Sequence, residues 1–339
     1  MKLEKHLLYI DITQFCGVGC DFCMYADKHN KIHLKLSPYA KNNLSNLIND
    51  PSVKRVSVSG EGEPLNNLAA FYSILQLSKG NVSFEFITSG YICHDKLLDF
   101  YGKIDNILSS NGDTCNIRLS SDSHHIPKLK NKPHGISISN FQNKKYKSLT
   151  LSFRSIDPDK QFSREYLTSE ITLYGFKSSI EEVSLLEDKL IIDDSQYNLD
   201  YKNLVWPQDV KGDYLNMWQY IKTLEKKYGK LFTLGSINNG DEVNGLDITI
   251  KPNGNVYFYG IEWICLGNIH EDYFSIEKLV KKVIDDSLIR SLYTIPFVEV
   301  VENLSNHIDI DKLIEKVNNP YWLLKEVHHK NNTLLASIF

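Results

Sequence analysis

The sequence predicts an α/β protein built on a parallel sheet, with a smaller α+β region behind it. Three observations carry this. Short apolar runs rich in β-branched and aromatic residues alternate with helical stripes about six times between residues 7 and 190, the pattern of βαβ units. The chain has 339 residues, 42% of them hydrophobic, which suffices for one large domain and an appendage. After about residue 191 the alternation stops, and a hairpin followed by helices takes over.

The first strand is Leu7-Leu8-Tyr9-Ile10-Asp11-Ile12. Others follow at Val56-Ser57-Val58, Phe84-Glu85-Phe86-Ile87, Ile117-Arg118-Leu119, Leu149-Thr150-Leu151-Ser152-Phe153 and Ile171-Thr172-Leu173-Tyr174. Between the early strands, Ser37-Pro38 supplies an N-cap and a first-turn proline for a helix bearing Leu44, Leu47 and Ile48. Leu68, Phe71, Ile74 and Leu75 form a second stripe, closed by Gly80, and Leu97, Leu98, Tyr101 and Ile104 a third. Residues 191–207 read as a connecting region. Tyr214 to Lys227 reads as a helix, and Asp247 to Tyr259 as a hairpin turning at Pro252-Asn253-Gly254. The last 70 residues read as helical.

The formal net charge of −4 gives no electrostatic footprint for nucleic acid or an anionic membrane. No run approaches the ~20 apolar residues that span a bilayer, and the first residues do not read as a signal peptide. A cytoplasmic location is the expectation. There, cysteines serve as thiols, catalytic groups or metal ligands rather than disulfides.

Of the cysteines at 16, 20, 23, 93, 115 and 265, three fall in Cys16-Gly17-Val18-Gly19-Cys20-Asp21-Phe22-Cys23, just after the first strand. Gly17 and Gly19 free the backbone to wrap three thiolates around one centre. An iron–sulfur cube usually takes four thiolates. Three leave one iron open, which catalysis at a metal requires. Structural zinc wants four ligands, the nearest fourth being His29 or His33. Three unrelated buried cysteines are the other alternative.

This C-x3-C-x2-C loop resembles that of the radical S-adenosylmethionine (SAM) superfamily, and Met24-Tyr25 continues the likeness. The resemblance implies a partial (β/α)6 TIM-like barrel. It implies one 4Fe–4S cluster on Cys16, Cys20 and Cys23, with SAM chelated to its unique iron. Reduction by an external flavodoxin- or ferredoxin-type protein would split SAM into methionine and a 5′-deoxyadenosyl radical.

Other stations on the barrel rim fit the same family. Gly60-Glu61-Gly62-Glu63-Pro64 resembles its Gly-Gly-Glu-Pro segment for the SAM amino group, with Glu61 replacing one glycine. Thr88-Ser89-Gly90 is similar to its Thr-Asn-Gly turn. Ser120 and Asp122 resemble a segment near the SAM ribose or substrate, and Arg154 a basic residue at the SAM carboxylate. All follow strand ends, the face on which α/β barrels place active sites. By this reading Tyr25, Gly60, Gly62, Glu63, Pro64, Thr88, Ser120, Asp122 and Arg154 bind cofactor. His124 and His125 read as a loop pair without an identifiable partner.

Residues 1–200 then form the barrel and 201–339 an extension resembling the SPASM or twitch region, with its hairpin, Cys265-Leu266-Gly267-Asn268-Ile269 and a helix from Ser275. Cys265 is its only cysteine, so no auxiliary cluster is expected. Cys265 reads as a packed small hydrophobe or, by likeness to radical epimerases, as a hydrogen-atom donor. Tyr257, Tyr259 and Trp263 are core aromatics or cavity lining.

The expected function is hydrogen abstraction from a peptide or small natural product, epimerisation being one outcome. The alternative is a non-catalytic iron–sulfur or zinc protein. The barrel begins within the first ten residues, so a peptide's leader would dock on a separate protein or on the C-terminal part.

Overall fold

The computed structural model describes residues 3–20, 23, 25, 31–207, 213–235 and 245–339. Asp21, Phe22, Met24 and His29 lie outside the described residues. The first part of the chain alternates strand and helix. It runs β1 (His6–Asp11), α1 (Pro38–Ile48), β2 (Val53–Ser59), α2 (Leu68–Leu75), β3 (Ser83–Thr88) and α3 (His94–Asn111). It continues with β4 (Thr114–Ser120), α4 (Pro133–Lys144), β5 (Leu149–Ile156) and α5 (Lys160–Leu173). A meander follows, β6 (Ser178–Ser184), β7 (Glu187–Ile192) and β8 (Ser195–Lys202), then α6 (Met217–Tyr228). The hairpin is β9 (Asp247–Ile250) and β10 (Asn255–Phe258), with β11 (Gly267–Asn268) beside it and short helices from Ile276 to Ile338.

Among the described residues one sheet runs in the order β11-β10-β9-β1-β2-β3-β4-β5-β8-β7-β6. Its centre, from β9 through β1–β5 to β8, is parallel throughout. This is the helix-clad parallel sheet of a partial TIM-like barrel.

Three expectations are corrected. Ile171-Thr172-Leu173-Tyr174 is not a strand but the end of α5; Ser163, Leu167, Glu170 and Ile171 are its buried positions, a helical spacing that outweighs local β propensity. The next parallel strand is instead β8, within the stretch read as a connection. Polar residues at alternate positions hid it. The α2 helix also ends earlier than Gly80, at Leu75.

Each parallel strand has an apolar and a polar face. Leu8, Ile10, Val56, Val58, Phe84, Phe86, Ile117, Leu119 and Phe153 are buried in one core with Leu44, Leu47, Phe71, Ile74, Phe100 and Ile104 of the helices. Residues paired across strands share a face. Tyr9 pairs with Ser57 and Ser57 with Glu85, while Ile87 pairs with Arg118, Ser120 with Arg154 and Arg154 with Asp200. The lumen face is therefore polar, whereas a TIM barrel normally fills it with Val, Ile and Leu.

Candidate active site at the strand ends

The cysteine loop leaves β1 through Thr13, Gln14 and Phe15, and this lead-in is fastened to the end of β2. The Gly62 amide donates to the Thr13 carbonyl (2.9 Å) and the Glu63 amide to the Phe15 carbonyl (2.8 Å). Asn66 Nδ2 adds a bond to the same Phe15 oxygen at 3.2 Å. The approach demands glycine: a Cβ on Gly62 would lie 2.1 Å from the Phe15 oxygen, and one on Gly60 2.9 Å from the Thr13 oxygen. Thr13 Oγ1 bonds His33 Nδ1 at 2.8 Å, and the Phe15 ring stacks on His33 with centroids 4.4 Å apart.

Beyond this anchor Cys16 is exposed and Cys20 and Cys23 are half-buried, all as free thiols. Gly19 has φ +70°, and the Cys23 amide bonds the Cys20 carbonyl at 3.3 Å. Among the described residues no three His, Cys, Asp or Glu side chains are gathered closely enough to hold a metal.

Glu63 is buried, and its carboxylate is heavily used. Oε1 accepts from the Leu65 amide (3.1 Å) and the Thr88 hydroxyl; Oε2 accepts from the Ser89 amide (2.9 Å) and the Ser89 hydroxyl. Thr88 Oγ1 also accepts from the Gly90 amide at 2.9 Å. The ends of β2 and β3 are thus sewn together by Glu63, and Pro64 starts the following 3-10 turn, Pro64–Asn67. Ser89, which sequence reasoning did not single out, is an equal partner in this stitch.

At the end of β4, Ser120 and Asp122 line the cavity described below. His125, read as a loop histidine, has a partner after all. Its Nδ1 lies 2.8 Å from both Asp122 oxygens, and the amides of His124 and His125 bond Asp122 Oδ1 at 3.1 and 3.0 Å. Burial would push the His125 pKa down, but hydrogen bonding to Asp122 and then to Cys20 lifts it to about 10. Burial likewise opposes the charge on Asp122, and the His125 bond outweighs it to hold that carboxyl below its usual value. Arg154 also lines the cavity, with Nη2 3.3 Å from Asp200.

A second charged cluster was missed because its members are far apart in sequence. Lys251, in the hairpin turn, places Nζ 3.2 Å from Asp11, 3.5 Å from Glu61 and 3.3 Å from Glu262, and 5.4 Å from the Tyr25 ring centroid. Gln14 Nε2 holds Glu61 from the other side at 2.7 Å. One ammonium serves three carboxylates, so it stays charged. Asp11 carries the surplus: burial, opposed by Lys251, lifts its pKa to about 6.

The lumen beneath these strand ends holds a cavity of about 410 Å³, within the usual range for ligand sites of about 300–1,000 Å³. Tyr25, Ser120, Asp122, His125 and Arg154 lie along its wall, with Glu85, Arg118 and Lys202 on the strands and Tyr259 from the hairpin. Cys265 is not on this wall. It is exposed, with Sγ 3.5 Å from the Gly267 carbonyl, so the reading of a packed core cysteine is corrected. Trp263 stacks on His328 at 5.0 Å instead of lining the cavity.

No protein-family model matches the chain. No curated protein matches it either. Among solved structures, the chain is similar to a radical SAM enzyme described as native anSMEcpe with bound AdoMet and Cp18Cys peptide. The likeness has a TM-score of 0.52 at 14% identity and covers 98% of each chain. The fold of this chain is therefore that of a radical SAM enzyme.

Proposed function

We propose that this protein is a radical SAM enzyme that modifies a peptide or small natural product. The observation that carries the reading is the joint between two segments. The Cys16-Cys20-Cys23 loop is hydrogen-bonded through Thr13 and Phe15 to Gly62 and Glu63, at the strand ends above a ligand-sized cavity.

The donor set fits a 4Fe–4S cluster: three soft thiols, none in a disulfide, all reachable from solvent and on one short loop. Cys16, Cys20 and Cys23 would hold it. Bound there, the cluster would supply the electron for cleaving SAM to methionine and a 5′-deoxyadenosyl radical, the electron coming from an external flavodoxin- or ferredoxin-type protein.

The chain's own part is to hold and orient. Gly60 and Gly62 let the backbone of the second strand end approach, and Glu63 and Thr88 fix that backbone in place. Arg154 offers a cation to the SAM carboxylate, and Ser120 and Asp122 face the same cavity. Tyr25 lies on the same wall. The peptide in the similar structure favours a peptide substrate here. We read residues 1–200 as the barrel and 201–339 as an extension without a second cluster, Cys265 being the only cysteine in it. Cys265 remains a candidate hydrogen-atom donor that would need to be brought to the cavity.

SAM binding to the reconstituted, reduced protein tests this reading. The electron paramagnetic resonance spectrum of a cluster held by Cys16, Cys20 and Cys23 should change when SAM is added. An unchanged spectrum would instead support the non-catalytic alternative.

A further inference from the structure

The lumen contains more cationic charge than its carboxylates balance. Arg55 on β2, Arg118 on β4, Arg154 on β5 and, nearer the rim, Lys202 at the end of β8 all line the cavity, against Glu85 on β3 and Asp200 on β8. Asp122, on the wall past the end of β4, is matched by His125. Asp247, at the start of β9, is the remaining carboxylate on the wall.

Geometry leaves these guanidinium groups underused. Arg118 is 7% exposed and gives Nη1 to Glu85 at 2.9 Å. Arg55 Nε stands 3.7 Å from the other Glu85 oxygen, an ion pair too long for a hydrogen bond. The Nε atoms of Arg55, Arg118 and Arg154 are all buried with no hydrogen-bond partner among the described residues. Buried donors left unmet are costly, and buried like charges are more so. The charges show the crowding. Burial, and next the neighbouring Arg154, pull the Arg118 pKa down to about 10, and burial followed by Arg154 pulls Lys202 down to about 8. Arg118 thus stays charged at neutral pH.

A cavity of ligand size with orphaned guanidinium donors is built for an oxyanion, since planar guanidinium groups match carboxylate and phosphate oxygens. We propose that the lumen binds an anionic group of the substrate, a carboxylate or a phosphate, on Arg55 and Arg118, deeper along the strands than Arg154 and the SAM site. The word substrate rests on the proposed radical SAM function; the anion site itself does not. Arg154 is left to SAM. A substrate seated by a deep anion would present its neutral part upward toward the strand ends, where hydrogen would be abstracted.

Isothermal titration of the full chain in low-chloride buffer tests this, with glutarate, inorganic phosphate and neutral glutaramide as probes. One anion should bind per chain and glutaramide should not; the tighter of glutarate and phosphate names the group. Arg118→Gln and Arg55→Gln should each weaken that anion by about tenfold or more. Arg55 is half-exposed and not hydrogen-bonded to Glu85, so its variant keeps the test open if Arg118→Gln fails to fold. Saturating SAM should leave the anion affinity unchanged. Equal binding of glutaramide, unchanged affinity in the Arg55 variant, no binding of either anion, or displacement by SAM would each overturn the inference. The SAM-cleavage assay is independent: cleavage without anion binding removes this proposal alone, and anion binding without cleavage removes the substrate role together with the proposed function.

Discussion

The Glu63 amide donates to the carbonyl of Phe15 at 2.8 Å, so the second strand end holds the residue that precedes Cys16. Gly62 makes this possible. An added Cβ would sit 2.1 Å from the same oxygen, a contact relieved only by moving one of the two segments. Gly62→Ala should therefore lower the iron content of the reconstituted protein sharply and cost roughly 2 kcal/mol or more of stability. Iron assay and urea unfolding measure both. A variant with full iron and unchanged stability would show that the joint is dispensable.

The Glu63 carboxylate takes four donors from Leu65, Thr88 and Ser89. Glu63→Gln turns one acceptor into a donor facing donors, at a buried position. Loss of about 2–4 kcal/mol in unfolding free energy is expected.

Asn43 on α1 ties the C-terminal region to the barrel. Its amide donates to the carbonyls of Ile269 (2.8 Å) and Asp272 (2.7 Å), and its oxygen accepts from the Phe274 amide (2.9 Å). Asn43→Ala strands three backbone groups, two of them in buried bonds, and should cost about 2–4 kcal/mol. Hydrogen exchange should then speed up at residues 269–274 before it does in β1–β5. Uniform acceleration across the sheet would contradict a local clamp.

Glu85 sets an acid limit. Burial opposes its charge, but Arg118, then Arg55 and Arg154, hold its pKa at about 2, below the ordinary 4.5. A depressed folded-state value means that its contribution is full above about pH 4.5 and is lost as pH falls through about 2. The loss amounts to roughly 3 kcal/mol on linkage arithmetic. Unfolding free energy measured across that window should fall in the wild type and fall less steeply in Glu85→Gln. Parallel curves would refute the assignment.

Much of the fold was legible where local pattern and tertiary demand agree. Ser37 caps α1 through the Ala40 amide at 3.1 Å, and Gly254 turns the hairpin with φ +85°. The failures were at α5 and β8, where propensity and periodicity disagree. Asn198, Asp200 and Lys202 made a central strand look like linker, because their polar side chains face the lumen instead of a packed core. The signal was present: Ser57-Val58-Ser59, Glu85-Phe86, Asn116-Ile117-Arg118-Leu119-Ser120 and Ser152-Phe153-Arg154 alternate in the same way. That shared period of two was legible as a polar-lined barrel.

For the site, residues that follow strand ends were readable in order, since every parallel strand delivers its successor to one rim. The Lys251 cluster was not. It joins Asp11, Glu61 and Glu262 from three separate stretches, and only the parallel pairing of β9 with β1 brings Lys251 to Asp11. The His125–Asp122 bond lay within reach of sequence reasoning as an i, i+3 pair, with the turn after β4 supplying the geometry.

The central claim is most directly tested by the yield of 5′-deoxyadenosine from SAM, with anaerobically reconstituted protein and a strong reductant. The account predicts about four irons per chain and steady deoxyadenosine formation, abolished together in Cys16→Ala, Cys20→Ala and Cys23→Ala. A protein that takes up its iron yet forms no deoxyadenosine, or a Cys20→Ala variant that still cleaves SAM, would contradict it.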